Sequence, residues 1–226
     1  MQSRRITLAN SNNHLFTRLY VTAVFLTALF LPTTLQAAEW QRVKAVIDGD
    51  TLLLGNDRFV RYIGINAPEI AHHDKPGEPF GVEAARYHTT LIGTQRVRLE
   101  FDRQKTDHYG RLLAYVYTED GVMLNRAMLA AGMAYYLYKP PNLRYADTFL
   151  ATQRKAMNVS KGIWTQLGRT GGPVLGNKRS RRFHRPDCRN VRKMSRKNRI
   201  HISSHWQAFR KGYAPGKNCL GGMPLD

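Results

Sequence analysis

Three short segments hold the residues that could do chemistry: Ile47-Asp48-Gly49-Asp50-Thr51, Arg61 through Pro68-Glu69, and Asp107-His108-Tyr109-Gly110-Arg111. Each sets charged residues beside a turn former within an apolar, strand-like pattern. Together they offer acids for a cation, a carboxylate for a water and two guanidinium groups for a phosphate. That set suits metal-assisted cleavage of a phosphodiester, which needs charge neutralisation, an activated water and a stabilised leaving oxygen.

Each residue also has a plainer reading. Asp48-Gly49-Asp50 serves equally as a polar hairpin turn, although two carboxylates two positions apart are hard ligands of the kind calcium or magnesium takes. Arg61, among Val60, Ile63 and Ile65, faces either solvent or a bound anion, which its planar fork would grip with two hydrogen bonds. Glu69 follows Pro68 at a strand end, a place for a general base or for any loop glutamate. Arg111 opens a strand and carries the same two readings. His72, His73 and His108 lie in no metal-ligand pattern.

These residues must be positioned by a mostly β scaffold. Residues 41–54 read as two strands around the Asp-Gly turn, and 58–65 as a third. A helix is expected over 80–92, ended by Gly93. Strands follow at 96–101 and 111–117, and helices at 123–131 and 143–158. Five strands with one helix between the third and fourth predict an α+β, mainly β fold: a five-stranded OB-type barrel with helices.

At this point the order and spacing matter more than any single residue. Residues 43–164 resemble the staphylococcal (micrococcal) nuclease family through VKAVIDGDTLLL, VRYIGINAPE, GVEAARY, VRLEFD, TDHYGRLLAYVY, GMAYYLYKP and KGIW. The resemblance implies an OB-fold, calcium-dependent nuclease acting on DNA and RNA. It implies that Arg61, Glu69 and Arg111 are catalytic, with Glu69 activating the water and the arginines holding the phosphate. It implies a metal bound by Asp50 and by positions 66 and 67, here Asn66 and Ala67, with Asp48 as a further ligand or a support behind it. Asn66 stands where the family pattern has an aspartate, so one negative charge is lost beside the cation. The resemblance also aligns Tyr136 and Tyr138 with tyrosines lining a nucleotide pocket. The competing reading is a nucleic-acid-binding protein of the same fold with weak or lost catalysis, Asn66 being the lesion.

The chain ends differ in character from this middle. Residues 1–37 carry Arg4, Arg5 and Arg18 before the 13-residue uncharged run Leu19–Leu31, then small residues at Ala37. A membrane span needs roughly 20 apolar residues, so the pattern predicts an export signal cleaved near Ala37 and a periplasmic or secreted protein. From 38 to 164, 17 basic and 14 acidic residues leave +3; from 165 to 226, 15 against 2 leave +13. This C-terminal charge suits a polyanion, either nucleic acid or the cell envelope.

Domains are therefore expected at 38–168 (the nuclease-like barrel) and 169–226 (a linker and a basic module), with Gly171-Gly172-Pro173 between them. The module resembles the metal-binding unit at the front of the Ada repair protein, through Phe183-His184 to Cys188 and Gly212-Tyr213 to Cys219. Gly216 replaces one of that pattern's cysteines. A Cys188–Cys219 disulfide is then favoured over a zinc site completed by His184.

Overall fold

The computed structural model describes residues 39–71, 76–166 and 172–216. The expected export signal, His72, His73 and Cys219 lie outside them.

The first sheet has six strands: β1 (Trp40–Gln41), β2 (Val43–Val46), β3 (Thr51–Leu54), β4 (Phe59–Tyr62), β6 (Val97–Glu100) and β7 (Leu112–Thr118), in the order β1-β6-β7-β4-β3-β2. All pairs are antiparallel except β4 with β7, which run parallel with Arg61 opposite Leu113. This curled sheet with its helices is the expected OB-like α+β architecture. The five predicted strands are present, and β1 adds a two-residue edge. Two more short strands, β5 (Ile65–Asn66) and β8 (Tyr135–Tyr136), pair antiparallel. Neither is visible as a strand in the sequence, because two residues carry no periodicity.

Alternation decides which face each side chain takes. In β4, Val60 and Tyr62 are buried while Phe59 and Arg61 point the other way. Leu52, Leu54, Val60, Ile65, Ala114 and Val116 are at most 1% exposed and form the barrel core. Each large aliphatic buried there is worth about 1.5–3 kcal/mol.

Helix α1 (Gly81–Ile92) buries Gly81, Ala84, His88 and Ile92, a single stripe at helical spacing. Helix α2 (Leu124–Ala130) buries Asn125, whose amide oxygen accepts from Val116 N at 2.9 Å and whose Nδ2 donates to Ile63 O at 2.9 Å. This one side chain ties β7 to the end of β4.

Helix α3 (Ala146–Asn158) is buried on two sides. Phe149 faces the barrel; Ala156 and Met157 face a second core. That second core also holds Ile163 and Trp164, from the 3-10 turn Gly162–Thr165, together with Val174, Phe183, Ile202, Trp206, Phe209 and Tyr213. The last six belong to the basic C-terminal segment. It forms a four-stranded sheet, β11-β9-β10-β12, from β9 (Val174–Asn177), β10 (Arg182–His184), β11 (Arg199–Ile202) and β12 (Ala214–Pro215). Two short helices, α4 (Arg189–Arg192) and α5 (His205–Arg210), complete it. Gln153 Nε2 donates to Phe209 O at 2.7 Å and Arg154 Nε to Arg210 O at 2.7 Å, so α3 and α5 are tied by polar bonds as well.

Candidate active site

The Asp48-Gly49-Asp50 turn between β2 and β3 is packed inward. Asp48 is 7% and Asp50 3% exposed. A Cβ on Gly49 would lie 2.6 Å from Ala67 Cβ and 2.9 Å from Ala84 Cβ, so only glycine lets the turn sit this deep. Asp48 Oδ1 accepts Asp50 N at 2.8 Å, which fixes the turn. The Asp48 carbonyl accepts from His88 Nδ1 at 2.8 Å, and His88 Nε2 lies 2.6 Å from Tyr62 Oη. A carbonyl can only accept, so Nδ1 carries the proton and Nε2 takes the tyrosine hydrogen. Burial lowers the His88 pKa and keeps the ring neutral. His88 was not among the residues expected at the site. Its signal was in the sequence, since Ala84, His88 and Ile92 recur every four residues.

Asp50 receives three donors. Arg61 Nη1 reaches Oδ1 at 2.8 Å, Thr51 Oγ1 donates to Oδ1 at 3.1 Å, and Ala67 N donates to Oδ2 at 2.6 Å. Arg61 also donates from Nη1 to Tyr62 O at 3.3 Å and Ile65 O at 3.2 Å, and from Nη2 to Asn66 Oδ1 at 2.8 Å. The guanidinium is thereby fixed, and among the described residues Nε–H and one Nη2 hydrogen have no partner. Arg61 thus points toward Asp50 rather than out to solvent. Asn66 Nδ2 donates to Ala67 O at 3.1 Å and to Tyr135 Oη at 3.0 Å.

Glu69 is exposed at the strand exit and within electrostatic reach of Asp50. Its main chain is clamped: Glu69 N donates to Glu78 Oε2 at 3.1 Å, and Glu78 N donates to Glu69 O at 2.8 Å. A Cβ on Gly81 would collide with the Glu69 carbonyl, so the start of α1 rests directly on this backbone. Glu78 and Gly81 were not singled out in the sequence; their roles need the loop to be closed before they are visible.

Arg111 stands just before β7, beside the strand of Arg61, with β4 and β7 in parallel register. Its side chain is two-thirds buried and its guanidinium is held by Asp107, whose Oδ2 accepts Nε at 2.8 Å and pairs with Nη2 at 2.8 Å. Asp107 Oδ1 accepts Tyr109 N and Arg111 N, both at 3.0 Å. Burial pushes the Asp107 carboxyl up, but the Arg111 bonds outweigh it and hold it below the usual range. One edge of Arg111 is spent on Asp107, and among the described residues the other has no hydrogen-bond partner. No hydrogen bond joins Arg111 to Arg61 or Glu69 among the described residues.

Tyr136 is 5% exposed, packs in the barrel core, and gives its N–H to Gln153 Oε1 at 2.6 Å. Its neighbour Tyr135 is the residue that reaches the site. The β5–β8 register sets Tyr135 opposite Asn66 and Tyr136 opposite Ile65, and alternation sends the two side chains to opposite faces. Tyr138 is partly exposed at the barrel edge.

Burial pushes the Asp50 carboxyl up to about 7, against the lowering effect of Arg61, with Asp48 and Glu69 adding to the rise. The site therefore holds more buried negative charge than it compensates, which is the condition a hard divalent cation relieves. Asp50, the Asn66 amide oxygen and the Ala67 carbonyl would hold such an ion, with Asp48 behind them. Among the described residues no three His, Cys, Asp or Glu side chains gather into a metal group, so neutral oxygens are needed. The Asn66 oxygen faces Arg61 and its N–H2 occupies the Ala67 carbonyl, so two of the three ligands are engaged with other groups.

The raised Asp50 has a measurable consequence. Between pH about 4 and about 7 the folded protein holds a proton at Asp50 that the unfolded chain has released. Metal-free stability should therefore fall as pH rises through that window, by a few kcal/mol. Neutral, buried His88 acts oppositely, since its unfolded form charges below about 6.5. Denaturant titrations in chelator isolate the Asp50 effect: wild-type stability minus that of Asp50→Asn should decline steadily from pH 4 to 7.

The family profile described as "Staphylococcal nuclease homologue" matches residues 59–166. The chain is 39% identical over 125 residues to the thermonuclease of Staphylococcus intermedius, covering 54% of this chain and 74% of that protein. The chain belongs to the staphylococcal nuclease family. It is also 35% identical over 127 residues to the thermonuclease of Staphylococcus hyicus (55% and 75% covered), and 35% identical over 128 residues to Endonuclease YncB of Bacillus subtilis (54% and 60% covered). The staphylococcal nuclease family profile spans Arg61, Glu69 and Arg111 but starts after Asp48 and Asp50.

In the C-terminal sheet, Cys188 is disulfide-bonded, and Cys219 lies outside the described residues. His184 Nδ1 is 3.7 Å from Cys188 Sγ. A Cβ on Gly216 would collide with the His184 ring, so no cysteine fits at 216 in this arrangement. An oxidised Cys188 is not a thiolate ligand for zinc.

Proposed function

We propose that the protein is an exported, calcium-dependent nuclease that hydrolyses phosphodiester bonds in DNA and RNA. The observation that carries this reading is Arg61, fixed by Asp50 and Asn66 with two N–H groups that no described residue takes, beside the Glu69 corner. Arg61 and Arg111 grip the phosphate oxygens. Glu69 takes a proton from the attacking water. The two guanidinium groups stabilise the charge that develops on the phosphate, and Arg111 hydrogen-bonds the departing oxygen. A bound calcium supplies Lewis-acid neutralisation of the phosphate. Catalysis by this constellation belongs to residues 38–168, and the basic C-terminal module holds polyanions. Export is supported by the signal-like residues 1–37 and by the oxidised Cys188, since disulfides persist outside the cytosol.

The test incubates the protein from residue 38 onward with plasmid and single-stranded DNA, in calcium or in chelator. Calcium-dependent degradation is expected. A folded protein that leaves both substrates intact would refute the enzyme reading and favour the binding-protein alternative.

Asn66 supplies a sharper test. Asn66→Asp adds a charge and removes the N–H2 that occupies the Ala67 carbonyl, freeing that oxygen. The calcium concentration for half-maximal activity should fall about tenfold. An unchanged calcium titration would mean that position 66 does not meet the metal.

A further inference from the structure

The tip of the β9–β10 hairpin reads Asn177-Lys178-Arg179-Ser180-Arg181-Arg182: four cations and no acid. Its shape is built in. Asn177 Oδ1 accepts Arg179 N at 2.9 Å and Ser180 N at 3.2 Å. Arg181 sits at φ 53°, an unfavourable region for an arginine, held by its N–H to Asn177 O and by Ala214 N on its carbonyl, both 2.9 Å. Its guanidinium lies 5.1 Å over the Tyr213 ring. Lys178, Arg179 and Arg181 are exposed and Arg182 is half-buried.

Arg182 has five N–H donors. One goes to Pro215 O at 3.2 Å, and among the described residues no carboxylate pairs with it. The hairpin adjoins the active site. Phe183, next in sequence, belongs to the second core, which packs against Tyr135. Phe209 of that core meets the Tyr135 ring at 5.5 Å, and the Tyr135 hydroxyl accepts from Asn66, itself bonded to Arg61. Arg182 lies in the fields of both the Tyr135 phenol and the Arg61 guanidinium. Arg61 is paired with Asp50, and Glu78 acts on the same Tyr135, but both arginines keep donors that no described residue takes, and such donors attract an anion.

We propose that the β9–β10 hairpin is a second phosphate-binding surface continuous with the active site, in which Arg182 takes a phosphate flanking the scissile one and Arg181, Arg179 and Lys178 carry a single strand onward. The proposal rests on the nuclease reading of the neighbouring site. Its consequence is that affinity rises with strand length, because only a long strand reaches the hairpin.

The test uses Glu69→Gln protein, so that bound strands stay whole, and fluorescence anisotropy with labelled single-stranded DNA of three and of about 20 nucleotides, across potassium chloride concentrations in calcium. For the longer strand Arg182→Gln should raise Kd five- to tenfold and flatten the log–log salt slope by about 0.7; changing Lys178, Arg179 and Arg181 together to glutamine should flatten it by about 2 more. For the trinucleotide the shifts should stay within about twofold, since the single-strand salt term counts only the phosphates contacted. Equal shifts for both lengths, or unchanged slopes, overturn the proposal. The triple variant touches no core residue and keeps the test valid if Arg182→Gln misfolds. A wild-type protein that binds in this length-dependent way but cleaves nothing would overturn the nuclease reading while leaving the hairpin assignment standing. Cleavage with no length dependence would do the reverse.

Discussion

Glu69→Gln is expected to lower kcat by about 10²- to 10⁴-fold while leaving calcium and strand binding within a few-fold of wild type. The amide keeps the size and the outer shape of the side chain but cannot accept the water proton. The bonds to Glu78 and the close approach of Gly81 hold the backbone of residue 69, so they survive the substitution. Single-turnover rates with saturating calcium separate the chemical step from binding. A variant that keeps more than a tenth of the wild-type rate would remove Glu69 from the role of base. The electrostatic neighbourhood makes the expectation specific: Glu69 and Asp50 sense each other, so deleting one charge should also ease the protonation pressure on Asp50.

The second large effect is structural. Trp164→Ala should cost about 3–5 kcal/mol, a large part of what a domain of this size has to spare. Trp164 is 1% exposed and meets Phe209 at 5.1 Å and Trp206 at 6.0 Å, each edge to face. It stands at the end of the family segment yet packs on rings of helix α5 in the C-terminal segment. Its loss should therefore unfasten that segment from α3, and with it the Phe209 support behind Tyr135. Thermal unfolding followed by near-ultraviolet circular dichroism should show the transition lowered by several degrees or split in two. An unchanged single transition would mean that the second core does not bind the two parts together.

Much of the barrel was legible because periodicity and turn chemistry agree along it. Alternation in Arg58 to Ile65 and in Arg96 to Phe101 predicted strands that form, and Gly93 ends α1 as expected. The trio Arg61, Glu69 and Arg111 came from motif order, not from any local pattern. What sequence could not supply was side choice and closure. Two adjacent tyrosines, Tyr135 and Tyr136, look alike in a motif, and only pairing with Ile65-Asn66 sends one to the site and the other to the core. Asn66 read as a weakened ligand, and only the fold shows that its amide also brackets Arg61, Ala67 and Tyr135. The basic segment was expected as a linker and a module, and charge counts say nothing about how the apolar residues interleaved with it pack. Val174, Phe183, Ile202, Trp206 and Phe209 are spaced by strands and turns too short to show a period, and they build a core shared with α3.

The parallel pairing of β4 with β7 bears on when the protein becomes dangerous to nucleic acid. Arg61 lies opposite Leu113, and Asn66 opposite Tyr135. These closures span long stretches of chain, and such contacts form late because the loop entropy must be met first. A ribosome-bound or partly refolded chain therefore has the reactive side chains without the framework that aims them. Hydrolytic activity on dilution from urea is expected to return with the slowest phase of refolding, so an unfinished molecule is harmless to the cell that makes it.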